Sequence, residues 1–142
     1  MVRREIKKIL VPLDGSTNSL RGLDSAISMA RACHATITGV YVIPTYPRNL
    51  LDAVIPYHIY LEKDAKKFMK KAKTISAKKG IDFKIKIIFG SPIYEISHML
   101  RNKRYDLIVV GARGKGVIKE FFLGSVSHGL VHKSPVPVLV VK

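Results

Sequence analysis

A single cysteine, Cys33, in 142 residues rules out an internal disulfide and fits a reducing compartment. Its neighbour His34 does not make it a nucleophilic pair, because adjacent residues on a helix do not face each other. No apolar run approaches the ~20 residues of a membrane span. The charged start Met-Val-Arg-Arg-Glu-Ile-Lys-Lys leads into no signal-peptide core, since Pro12, Asp14 and Gly15 interrupt it. A cytoplasmic protein is the expectation. Acids are scarce, and no two Asp or Glu residues stand at a spacing suited to paired acid–base work, which argues against a dedicated hydrolase. Repeats, low-complexity tracts and linkers are also absent, so residues 1–142 read as one domain.

What the chain has in excess is positive charge: 25 Lys and Arg against 10 Asp and Glu, for a net +15 that would concentrate anionic ligands. Ten of the lysines lie between Lys63 and Lys86, mostly on one predicted helix. Phe68 falls on the apolar stripe of that helix and not on the lysine side, so no aromatics interleave with the lysines on their face, and a solvated helix face is favoured over a nucleic-acid surface.

Hydrophobic periodicity predicts strands over residues 6–13, 35–43, 82–89, 106–110 and 136–141. Between them it predicts helices over about 17–33, 59–79, 92–102 and 124–133. Ser16 or Thr17 caps the first helix, Gly80 ends the second, and Ser91 with Pro92 opens the third. Pro44, Pro47 and Pro56 mark a stretch before residue 59 that the pattern leaves unassigned. Lysines alternate with apolar residues over 82–89, as expected of a sheet edge. Five strands alternating with helices call for an α/β fold, a parallel sheet flanked by helices on both faces. In such sheets ligands sit at the carboxyl ends of the strands where strand order reverses, which would set the turn at Asp14 opposite the loop after Val110.

That loop is the most informative feature. It reads Gly111-Ala112-Arg113-Gly114, then nine residues, then Gly124-Ser125 at the start of a helix. Gly111 and Gly114 let a ligand approach the backbone, and a helix start offers N–H donors with the positive end of its dipole, chemistry suited to phosphate. The spacing is neither a Walker loop, since no Ser or Thr follows the lysine of Gly114-Lys115-Gly116, nor the Gly-x-Gly-x-x-Gly of dinucleotide folds. Asp14 reads two ways, as a ligand-facing carboxylate or as an Asx turn or cap in competition with Ser16.

Gly-x-x-Gly, nine residues and Gly-Ser resembles the ATP-binding signature of the universal stress protein family. The opening Lys8-Ile-Leu-Val-Pro-Leu-Asp-Gly-Ser16 and the closing Ser134-Pro-Val-Pro-Val-Leu-Val-Val-Lys142 are similar to that family's first and last strands. The resemblance spans essentially the whole chain and implies a Rossmann-like, adenine nucleotide alpha-hydrolase-like sheet. It also implies roles. Asp14 would contact the ribose or a nucleotide-bound Mg or Mn, with Pro12 beside the nucleotide, and Val42 and Val110 would line the adenine pocket. Gly111 and Gly114 would receive ribose and phosphates, and Gly124, Ser125, Val126 and Ser127 the phosphate tail. Arg113 stands where a guanidinium could pair with phosphate.

His128 and His132, four apart, could share a helix face, but with no Glu after the first and no third ligand they read as surface histidines. Strand 136–141, from Val136 to Val141, is apolar for an edge, and the resemblance implies a homodimer formed through it. The expectation is an ATP-binding, nucleotide-responsive dimeric regulator with an unnamed protein partner and no catalytic residues. AMP or another adenine nucleotide is an alternative ligand. A slow ATPase or a phosphotransferase acting on Ser125 or a neighbour, and a basic nucleic-acid module, are the competing functions.

Overall fold

The computed structural model describes residues 5–45, 51–114 and 123–142, without the side chains of 51–56. Nine elements alternate along it: β1 Lys8–Leu13, α1 Thr17–Cys33, β2 Thr36–Ile43, α2 Leu51–Lys78, β3 Phe83–Phe89, α3 Pro92–Asn102, β4 Leu107–Gly111, α4 Ser125–Lys133 and β5 Val138–Val141. All strand pairs are parallel, in the order β3-β2-β1-β4-β5. Lysine-rich β3 and apolar β5 are the two edges.

The central strands are apolar at nearly every position because both of their faces are covered. Ile9, Val11 and Leu13 of β1 pack with Leu23, Ala26 and Ile27 of α1 and Ala65, Met69 and Ala72 of α2. Leu10, one residue out of phase, joins Val40, Ile108, Ile96 and Leu130 on the face covered by α3 and α4. No helix among the described residues is long and apolar enough to cross a membrane.

Two details set the entrance to the site. The β1–β2 ladder runs through Leu13↔Tyr41, whereas β1 pairs with β4 only at Ile9↔Leu107 and Leu10↔Ile108. The pairing of β1 with β4 ends at Leu10, and Pro12, two residues on, has no N–H with which to resume it. At their other end Asp106 holds them together, its Oδ2 accepting the N–H groups of both Lys7 and Lys8 at 2.9 Å.

Several boundaries differ from the sequence reading. Helix α2 begins at Leu51, eight residues before the expected start, and passes through Pro56. A proline in the second turn forfeits one backbone bond, which a 28-residue helix tolerates. Strand β5 begins at Val138, not Val136, because Pro137 cannot donate to the ladder, although its carbonyl accepts from Ile108 N. Ser91 holds the cap position of α3 without a side-chain hydrogen bond, while Pro92 opens the helix as expected. Gly80, at φ 75, ends α2 in a full Schellman arrangement, with Ile81 N donating to Ser76 O and Gly80 N to Ala77 O. His34 closes α1 at φ 54, a left-handed position where glycine is usual and no sequence signal stood.

Candidate functional site

At the carboxyl ends of β1, β2 and β4 lies a cavity of about 430 Å³, within the size range of small-molecule sites. The β1 side is a tight turn. Gly15 adopts φ 85, which lets Ser16 cap α1 by accepting Ser19 N–H at 3.1 Å. The Asp14 carboxylate accepts Ser16 N–H at 2.9 Å through Oδ1, an Asx turn. Its Oδ2 reaches across to the opposite loop, lying 2.5 Å from where a Cβ on Gly114 would stand. The two readings of Asp14 are thus compatible: one oxygen holds the turn and the other faces the cavity, while capping falls to Ser16. Tyr41 donates its hydroxyl to Asp14 O at 3.1 Å. Burial, then the charges of Asp64 and Asp14, raise its pKa above the ordinary value, so the phenol stays a neutral donor.

The opposite wall is the start of α4. Gly124 is its N-cap and brings no capping side chain. Its N–H donates to Ala112 O at 2.7 Å, and His128 N–H closes the first turn onto Gly124 O at 2.9 Å. The N–H groups of Ser125, Val126 and Ser127 precede any helical acceptor, so this end carries the positive dipole terminus and donors facing the crevice wall. Ser127 is 2% exposed and donates its hydroxyl to Ala112 O at 2.7 Å, pinning α4 to the end of β4.

All eleven positions singled out in the sequence line this one cavity: Pro12, Asp14, Val42, Val110, Gly111, Arg113, Gly114, Gly124, Ser125, Val126 and Ser127. The missing Cβ of Gly111, however, faces protein. A Cβ there would stand 2.6 Å from Asn18 O, and one on Gly22 would stand 3.1 Å from Gly111 N. The two glycines let α1 sit directly on the end of β4, which is a packing requirement. Among the described lining residues Asp14 is the only carboxylate, and no group of three His, Cys, Asp or Glu among the described residues could hold a metal. His128 and His132 are exposed, ring centroids 4.7 Å apart, on one face of α4. Residues 115–122 of the glycine-rich loop lie outside the described part.

The Usp profile, the universal stress protein family, matches residues 5–142. The chain belongs to the universal stress protein family. A universal stress protein of Methanocaldococcus jannaschii is 32% identical over 139 residues, covering 96% of this chain and 82% of the relative. The solved structure of universal stress protein UspA from Lactobacillus plantarum superposes with a TM-score of 0.88 at 26% identity, covering 99% of this chain and 100% of its own. A universal stress protein from Archaeoglobus fulgidus, solved in complex with dAMP, has a TM-score of 0.71 over 98% of this chain and 100% of its own; at 21% identity it shows the fold alone.

Within this universal stress protein, sequence reasoning named Pro12, Val42 and Val110 on the apolar part of the cavity and missed the rest of it. Val40, Tyr41 and Ile43 of β2, Leu61 of α2 and Ile96 of α3 line it, with Pro44 and Tyr57. Buried strand and helix positions carry the same residue types whether they face a core or a ligand, so nothing marked them. Tyr57 is 51% exposed and belongs to the part of α2 that the proline pattern hid.

Proposed function

We propose that the crevice binds an adenine nucleotide, ATP first among them, and that the chain acts as a nucleotide-responsive dimeric regulator. The observation that carries this reading is the mixed lining of this cavity: aliphatic side chains of β1, β2, β4 and α3 together with an uncapped helix start and Arg113. A flat apolar base and an anionic tail fit those two kinds of lining, and a nucleotide has both. Asp14, in the same lining, suits a ribose hydroxyl or a cation carried in by the phosphates. The dAMP complex of a protein with the same fold names the ligand class to test first. Homodimerisation through β5 is part of the proposal, because among the described strands this is an edge and it carries apolar side chains such as Leu139, 37% exposed.

Isothermal titration of the protein with ATP, with and without Mg²⁺, tests the ligand. Micromolar binding with a stoichiometry of one per chain is expected. AMP binding as tightly as ATP would remove the role assigned to the α4 terminus, and absence of binding by any adenine nucleotide would end the reading.

A further inference from the structure

The lysines of α2 were expected to form a solvated face, and the structure defines what that face is. Ala65, Met69, Ala72 and Ser76 are fully buried against the sheet, so the orientation of the helix is fixed. At 100° per residue, Lys63, Lys66, Lys67, Lys70, Lys71, Lys73 and Lys78 then fan over an outward arc of about 160°. All seven are exposed. The acids of this stretch, Glu62 and Asp64, stand at its beginning, and residues 65–81 contain none. Of the lysines between 63 and 79, among the described residues, only Lys66, to Glu62 at 3.1 Å, and Lys79, to Asp24 at 3.0 Å, make ion pairs. Like charges three and four apart on a helix repel one another, so the arrangement costs stability unless an anion covers it.

We propose that the outer face of α2 binds the phosphate backbone of duplex nucleic acid without reading its sequence. Three features favour that occupant. The lysine row from 63 to 78 is about 22 Å long at 1.5 Å per residue, and its curvature offers charge to phosphates on both sides of a groove. The apolar face that membrane insertion needs is already spent on the sheet; among the described residues Tyr57, Ile59 and Tyr60 are exposed ahead of the lysines, and none lies within the lysine arc. Within the arc the remaining residues are Thr74 and Ala77, which supply no bidentate base contacts. Phe68 packs against the core, so the exposed arc carries no aromatics; that argues against single strands, which need stacking, and leaves duplex phosphates unaffected.

The test is fluorescence anisotropy of a labelled 24-base-pair duplex of mixed sequence, titrated with the full chain from 50 to 200 mM NaCl. Engagement of about five phosphates predicts a slope of log K against log salt near −4.5, a loss of about 500-fold across that range. The variant Lys63→Gln, Lys67→Gln, Lys70→Gln, Lys71→Gln keeps helix-forming residues at exposed sites and should flatten the slope to about −1. A second variant, Arg21→Gln, Arg31→Gln, Arg101→Gln, Arg104→Gln, removes the same charge from other exposed positions and should keep the slope near −4.5. Saturating ATP should leave duplex binding unchanged, since the face lies outside the crevice. Equal losses in both variants would reduce the effect to net charge and overturn the proposal. So would displacement of the duplex by ATP, absence of duplex binding, or binding of vesicles with 30% phosphatidylserine in its place.

Discussion

The substitution Gly124→Asp separates folding from ligand binding. Gly124 has φ −62 and ψ 162, a backbone any residue adopts, and a Cβ built there stands 3.4 Å from Arg113 Cα and 3.5 Å from Ala112 O and Gly114 N. Those are ordinary contacts, so the fold should accept the side chain. An aspartate at an N-cap accepts the N–H of the second or third helical residue and complements the helix dipole, so stability should hold or rise by a few tenths of a kcal/mol. Binding should respond in the opposite direction. The carboxylate would occupy the same N–H groups, Val126 or Ser127, that a phosphate needs. It would also place a negative charge beside phosphates at a cost of about 4 kcal/mol per charge pair at 4 Å and an effective dielectric of 20. Even after screening removes part of that, a loss of at least about 100-fold in ATP affinity is expected, 1.4 kcal/mol being a factor of ten. Titration calorimetry and a thermal melt on the same preparation measure both. Affinity within about threefold of the wild type, with an unchanged melt, would show that phosphates do not sit at the start of α4.

Asp14→Ala removes the acceptor of Ser16 N–H, so about 1 kcal/mol of stability should go together with about tenfold in nucleotide affinity. Asp14→Asn should return the stability alone, and recovery of both would reduce Asp14 to a turn former. In Gly111→Ala the new Cβ would meet the Asn18 carbonyl at 2.6 Å, backbone against backbone, so a loss of about 2 kcal/mol and several degrees in melting temperature is expected. An unchanged melt would count against the packing role. Val138→Lys, on the β5 edge, should give monomers by light scattering, and an unchanged mass would dispose of the β5 dimer. ATP should shift the dimerisation constant of the wild type by the same factor that dimerisation shifts ATP affinity, and sedimentation with and without ATP measures it.

The element order was legible because strands buried on both faces read as short apolar runs and each helix carries its stripe at 3–4 spacing. The polar half of the site was legible for a related reason. Turns at strand ends require glycine, aspartate and serine at fixed offsets, and Asp14, Gly114 and Gly124 stand where the topology brings three strand ends together. Two things were not. Pro56 reads as a breaker in any local window, yet α2 runs through it, so the first turns of that helix and Tyr57 went unassigned. Gly22 lies mid-helix with no turn around it, and its use shows only when α1 is seen resting on Gly111. Long-range contact of that kind has no local signature.

One residue, Ala112, joins the two parts of the proposed regulator. Ala112 donates its N–H to Val141 O at 2.7 Å, extending the pairing of β4 with the edge strand beyond Gly111↔Val141. Its carbonyl accepts Gly124 N–H at 2.7 Å and the Ser127 hydroxyl at 2.7 Å, which together fix the start of α4. A ligand that draws the N–H groups of α4 toward itself pulls on this carbonyl, and the pull reaches the N–H that holds β5 across the Ala112 Cα, which joins the two adjacent peptide planes. Ser127 is 2% exposed, so solvent cannot replace the bond if the helix start shifts. The geometry therefore gives nucleotide occupancy a short, hydrogen-bonded route to the edge on which dimerisation is proposed. Removal of the Ser127 hydroxyl should weaken the coupling more than it weakens either binding event alone, because it slackens the link and leaves the N–H donors and the β5 side chains in place.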